Sequence, residues 1–176
     1  MSSYYYLMAS LPMLRSDGEL PFSYEDFLEM CRSAVSGAKY TLLKELSLSS
    51  EKGPLVGEWA KFYTALEREL IRLRNRRLGR QEQADGERDD AIAAAISAAI
   101  GGKNPLEAEQ ALLALEFQKL DELIGLHSFD DHALLGYALK LKLLERKRVF
   151  DQKKGKAELG RILGALQKEI MLDEQE

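Results

Sequence analysis

Apolar side chains along the chain recur at steps of three and four, the period of a helix with one buried face. The stripe is clearest at Trp59, Phe62, Tyr63, Leu66, Leu70 and Leu73. Pro54 suits the first helical position there, because its missing N–H has no helical partner to lose. That helix is expected to run to Leu78 and stop at Gly79. Upstream, Ser23 with Asp26 three residues on reads as an N-cap, followed by Phe27, Leu28, Cys31 and Val35 at helical spacing. Ser36-Gly37 interrupts this pattern, and Tyr40, Leu43 and Leu46 mark a second short helix. Residues 4–11 carry three tyrosines and fit either a short helix or an extended arm packed on the rest.

Downstream the same period returns. Asp89 and Asp90 sit where acids favour a helix start, ahead of Ile92, Ile96 and Ile100 on an alanine-rich stretch that Gly101-Gly102 ends. Asn104-Pro105 reads as a cap and a proline start for a helix with Leu112, Leu115, Leu120, Leu123 and Ile124 as its core stripe. After a turn at Gly125–Phe129, Asp130 or Asp131 caps a helix whose stripe is Leu134, Leu135, Ala138, Leu141, Leu144 and Val149. Gly155 separates it from a last helix with Leu159, Ile162, Leu163, Leu166 and Ile170 in the core, and the tail is acidic. No paired strand pattern occurs, so the expected fold is all-α: an antiparallel bundle of about seven helices. Residues 1–176 read as a single helical domain, with the polar loop 81–90 as a divide between subdomains 1–80 and 91–176.

Composition narrows the class. Hydrophobic residues make up 45% of the 176 and charged residues 31%, which excludes a disordered chain. The longest bland apolar run, Ala91 to Ile100, is half the ~20 residues a membrane span needs. The N-terminus has no basic lead-in, and Pro12 breaks its apolar run, unlike a secretory signal. A single cysteine allows no internal disulfide and suits a reducing compartment. The expected location is the cytoplasm.

Candidate chemistry is sparse. His127 and His132 lie near Asp130 and Asp131, but their five-residue spacing across a helix start is not expected to bring both rings to one face. The aspartates are better read as caps. Cys31 falls on an apolar face and reads as a small buried hydrophobe. There is no nucleophile elbow and no phosphate loop. No catalytic, cofactor-binding or metal-binding residues are therefore expected.

Charge carries more information than chemistry. The net charge of −4 averages opposed regions. Residues 67–80 hold six arginines against two glutamates, and residues 140–156 hold eight basic side chains against two acidic ones. Residues 1–31 hold five acids against Arg15. Both basic clusters fall near helix C-termini, where cations are favoured in any case. They also fit docking to an acidic partner. Nucleic acid is the weaker fit, because the clusters lack interleaved exposed aromatics.

Four segments in order resemble the DUF2764 family of bacterial proteins. They are Tyr4-Tyr5-Tyr6-Leu7 through Pro12; Glu58-Trp59 with Phe62-Tyr63 and then Leu73 to Gly79; Asn104-Pro105-Leu106-Glu107 with Leu120-Asp121-Glu122; and Phe129-Asp130 through Tyr137-Ala138 to Glu145-Arg146. The resemblance implies a place among the components of bacterial V/A-type rotary ATPases, where the funnel-shaped C/d-type subunit would otherwise stand. It implies a shortened C/d-like version of that all-helical fold, since the chain is far shorter than the full three-module funnel. The function so implied is non-enzymatic: a subunit or assembly factor serving ion transport, coupling the membrane rotor ring to the central stalk. Its partners would be rotor-ring and central-stalk subunits, with no cofactor and no nucleic acid. It would meet the cytoplasmic face of the inner membrane only through the complex. Arg74, Arg76, Arg77, Lys140, Arg146 and Arg148 are the expected interface residues. The alternative is a helical nucleic-acid-binding or general protein-interaction module.

Overall fold

A computed structural model describes residues 5–80, 89–101, 104–149 and 159–164. Among these residues the chain is entirely helical, without strands. The order is α1 (Tyr5–Ser10), α2 (Tyr24–Arg32), α3 (Gly37–Glu45), α4 (Val56–Arg77), α5 (Asp90–Ile100), α6 (Pro105–Ile124) and α7 (Asp131–Val149), with a further helical stretch at 159–164. The tyrosine-rich start is thus a short helix, which buries Leu7. No described helix is long and apolar enough to cross a membrane.

Local chemistry sets most helix ends. At α2, Ser23 Oγ accepts from the Asp26 N–H at 3.1 Å, and the Asp26 carboxylate accepts from the Ser23 N–H at 3.0 Å, a reciprocal capping box. At α5, Asp89 Oδ1 accepts from the Ala91 and Ile92 N–H groups. At α6, Asn104 Oδ1 accepts from the Glu107 N–H at 2.9 Å, with Pro105 opening the helix. The end of α4 is a Schellman motif. Gly79 takes φ +63, its N–H reaches Arg76 O, and the Arg80 N–H reaches Asn75 O.

The start of α4 departs from expectation. Pro54 is not its first helical residue, because α4 opens two residues later, at Val56. Leu55 between them sits at φ +66, and the Val56 N–H closes onto Pro54 O at 2.7 Å. This is the strained form of a three-residue turn, which costs about 1–3 kcal/mol. Packing explains why it persists. Leu55 is buried, and a Cβ on Gly53 would lie 3.3 Å from Leu135 of α7. Tertiary contact with α7 therefore overrides the local preference of the proline.

At α7 the expected stripe is buried at Leu134, Leu135, Ala138, Leu141 and Leu144, and burial goes beyond it. The sequence predicts a single core stripe, but burial is unbroken from Ala133 to Leu139, so the first half of α7 has no solvent face. Leu139, Leu141 and Leu143 are fully inaccessible alongside Leu134, Leu135, Ala138 and Leu144. A helical segment buried on every face lies at the centre of its domain. Gly136 permits the closest approach: a Cβ there would lie 2.5 Å from the Ile124 side chain. Around α7 pack Leu7, Phe27, Leu43, Trp59, Tyr63, Leu113, Phe117 and Leu120, forming the main core from both halves of the chain. The Trp59 indole N–H donates to Leu48 O at 2.9 Å, so burying it leaves no unpaired donor.

Polar side chains fasten the other elements to α7. Glu145 accepts from the Tyr24 N–H at the start of α2, Asp131 pairs with Lys39 of α3, and the Tyr137 hydroxyl donates to Pro12 O. Lys147 donates to the carbonyls of Ser16 and Gly18 at 3.0 and 3.1 Å, closing the loop before α2.

A smaller second core lies to one side. Leu66 of α4, Ile96 and Ile100 of α5, and Ala108 and Leu112 of α6 form it. The 22 residues of α4 span about 33 Å, long enough to serve both cores. The last stripe is also corrected in part: Leu159, Ile162 and Leu163 are exposed, not buried. Tyr4, residues 81–88, Gly102, the basic residues Lys153, Lys154 and Lys156, Gly155, Leu166, Ile170, the acidic tail and the Val149 side chain lie outside the described residues.

Candidate interaction surface

The C-terminal end of α4 is built on a buried ion pair. Glu69 and Arg72, one turn apart, are 7% and 9% exposed and joined through Oε1 and Nη1. Past this pair Leu73 still packs on the second core, while Arg74, Arg76 and Arg77 are exposed. Arg76 also takes part in an interaction within the chain. Ile71 and Leu78 are more than half exposed beside them. The result is a helix end, fixed by its Schellman cap, that carries cations with aliphatic neighbours. The partial negative charge at the helix terminus favours these cations.

The α7 cations are placed differently. Lys140 pairs with Asp121 of α6 and lies 5.7 Å from the Phe117 ring centroid. Arg146 grips Glu116 of α6 with both nitrogens, Nη1 donating to Oε1 at 2.9 Å, and it also reaches the Tyr63 hydroxyl at 3.4 Å. Glu116 is wholly inaccessible. Burial pushes its carboxyl up, against the pull of Arg146. Burial also opposes the Arg146 charge, but the Glu116 contacts outweigh it and hold that group above its usual value. The two-point geometry favours the charged pair at neutral pH. Lys142 lies 3.6 Å from the Tyr24 ring centroid, and burial lowers its pKa. Of the three expected interface residues on α7, Arg148 alone is exposed.

Sequence reading missed Glu116 and Glu69. The signal was present: Glu116 sits four residues from both Leu112 and Leu120, on the apolar face of α6. A carboxylate in that stripe needs a buried cation from another helix.

A cleft of about 580 Å³ lies between the loop at Asp17–Leu20, α6 and the end of α7. Leu106, Leu113 and Leu144 contribute its apolar part, and Arg146, Lys147 and Arg148 line it together with Glu19 and Glu109. Among the described residues its lining includes no serine, cysteine or histidine. Cys31 is fully buried, and burial pushes its thiol up to about 12, so it stays protonated.

The two histidines overturn the expectation drawn from their spacing. Their rings stack, with centroids 4.3 Å apart and planes 11° from parallel. Helical spacing does not apply, because α7 begins at Asp131 and His127 precedes it. Gly125 at φ +55 turns the chain out of α6, and the His127 N–H returns to Ile124 O at 3.0 Å. His127 is thereby folded back over the first turn of α7. Asp130 is the cap: its Oδ1 accepts from the Ala133 N–H at 3.1 Å, and its Oδ2 contacts His127 Nδ1. Burial works to raise Asp130, but the cap and His127 outweigh it and hold the carboxyl below its ordinary value.

Residues 96–170 match a family model described as a protein of unknown function, DUF2764. No curated protein and no solved structure matches the chain. The matched stretch takes in the end of α5, all of α6 and α7, and the helical residues 159–164. It therefore includes the Glu116–Arg146 pair, both histidines and the central helix.

Proposed function

We propose that this protein is a non-enzymatic subunit or accessory factor of a bacterial V/A-type rotary ATPase, docking on an acidic partner surface. The observation that carries the docking surface is the exposed end of α4, where Arg74, Arg76 and Arg77 stand beside Ile71 and Leu78. Such a surface suits charge pairing that orients a partner, with aliphatic contacts holding it. The rotary ATPase enters through the family resemblance. A rotor coupler needs stiff helices with two partner faces and no active site. The second face is assigned to the cleft at Arg148, whose lining also holds Glu109 of α6. Lys140 and Arg146 act as positioning residues that lock α6 to α7.

Affinity purification from the native cell tests this reading, comparing the wild-type chain with an Arg74→Glu/Arg77→Glu variant. Rotor-ring or central-stalk subunits are expected with the wild type and lost with the variant, at unchanged helicity. Wild-type protein that brings down no rotary ATPase subunit overturns the assignment. Nucleic acid binding with a steep salt dependence would replace it with the other reading of the same arginines. The aliphatic character of Ile71 and Leu78 makes that reading the weaker one, since bases stack on aromatic rings.

A further inference from the structure

We propose that His127, Asp130 and His132 bind a divalent transition-metal ion of the zinc class at the junction of α6 and α7. Their donor atoms, two imidazole nitrogens and one carboxylate oxygen, lie within 4.8 Å of one another. Zinc–nitrogen and zinc–oxygen bonds of about 2.0–2.2 Å bring donors to roughly 3.3–3.5 Å apart. Closure therefore asks for a movement on the order of 1 Å, which side-chain rotation supplies without moving the backbone. Both His127 and Asp130 are about half exposed, so their side chains have room to rotate.

The backbone is already held in place. The Gly125 turn, the Asp130 cap and the first turn of α7 bring the three residues together from a six-residue segment. The Ala133 N–H occupies Asp130 Oδ1 and leaves Oδ2 as the donor oxygen, already facing His127.

The donor set selects the metal. Imidazole nitrogens suit zinc, cobalt, nickel and copper, whereas magnesium and calcium take oxygen donors. Three protein ligands leave a coordination position open, to water or to a donor from a bound partner. The ion would tie the 125–130 turn to the central helix and so stabilise the folded state by mass action.

The test uses the full chain without a histidine tag. Cobalt(II) serves as a visible-absorption probe, zinc(II) is titrated by calorimetry, and thermal unfolding is followed with and without zinc. His127→Gln and His132→Gln preserve side-chain bulk and amide hydrogen bonding, and metal-free unfolding confirms that each variant folds. The wild type is expected to bind one cobalt ion with saturable d–d bands and to gain thermal stability with zinc. Each variant is expected to weaken binding roughly tenfold or more and to lose the zinc-dependent gain. Binding should also fall on acidification, as protons compete for the imidazoles. An absence of saturable binding by the wild type overturns the proposal, and so do variants that bind as tightly as the wild type.

Discussion

The Glu116–Arg146 pair is the residue-scale feature that most constrains this molecule. A fully buried carboxylate is expensive unless a cation meets it with good geometry. Arg146 does so with two nitrogens, and its side chain keeps 31% exposure. Removing one partner should therefore be worse than removing both. Glu116→Ala is expected to destabilise toward the lower end of about 3–5 kcal/mol, because solvent reaches part of the stranded guanidinium. The double variant Glu116→Leu/Arg146→Met should recover most of that loss. Urea denaturation of the two singles and the double gives the coupling. Purely additive losses would show that the pair contributes nothing beyond its separate packing.

The helix caps decide the pH response at the scale of elements. Hydrogen bonds from Ser23 hold the Asp26 carboxyl below its ordinary value, and at Asp130 the cap and His127 prevail over burial to the same effect. A carboxyl lowered by folding binds its proton more readily in the unfolded chain. Its stabilisation is thus complete above the ordinary Asp value of about 3.9 and is lost as pH falls through the lowered folded value. Acid should fray the starts of α2 and α7 while α6, capped by the neutral Asn104 amide, keeps its start. Amide exchange or NMR shifts of Asp26 and Ala133 during an acid titration would report this. Uniform loss of all helices would instead indicate a global carboxylate effect.

At the scale of the whole molecule, the two cores should differ in stability. The main core surrounds α7 with side chains from both halves of the chain, whereas the second is made by five buried residues on α4, α5 and α6. Regions with less buried apolar area open at lower free energy. Backbone amides of α5 are therefore expected to exchange well before those of α7 under native conditions. Matching exchange rates would show that the cores unfold as one unit. This division also separates tasks: the α4 end that carries Arg74 and Arg77 belongs to the second core, while α7 organises the first. Charge reversal at the α4 end should thus leave α7 packing intact.

Local sequence alone specified the helical class, the register of α4, the caps at Ser23 and Asn104 and the start of α5 near Asp89 and Asp90, because these depend on residues within one or two turns of each other. Cys31 and Trp59 were legible as core for the same reason: each lies on an apolar helical face. What escaped was set by residues far apart in sequence. The central position of α7 follows from helices packing around it, and a low amphipathic contrast in its sequence does not say which neighbours those are. Lys140 and Arg146 read as surface cations until α6 brings Asp121 and Glu116 to them. Pro54 lost the first helical position to the packing of Leu55 and Gly53 against α7. The histidine pair formed because a turn, not a helix, joins its members. Local sequence thus determined what each segment is, and tertiary structure decided what each charged group faces. Short-range hydrogen bonds suffice for the first, and only the assembled core supplies partners for the second.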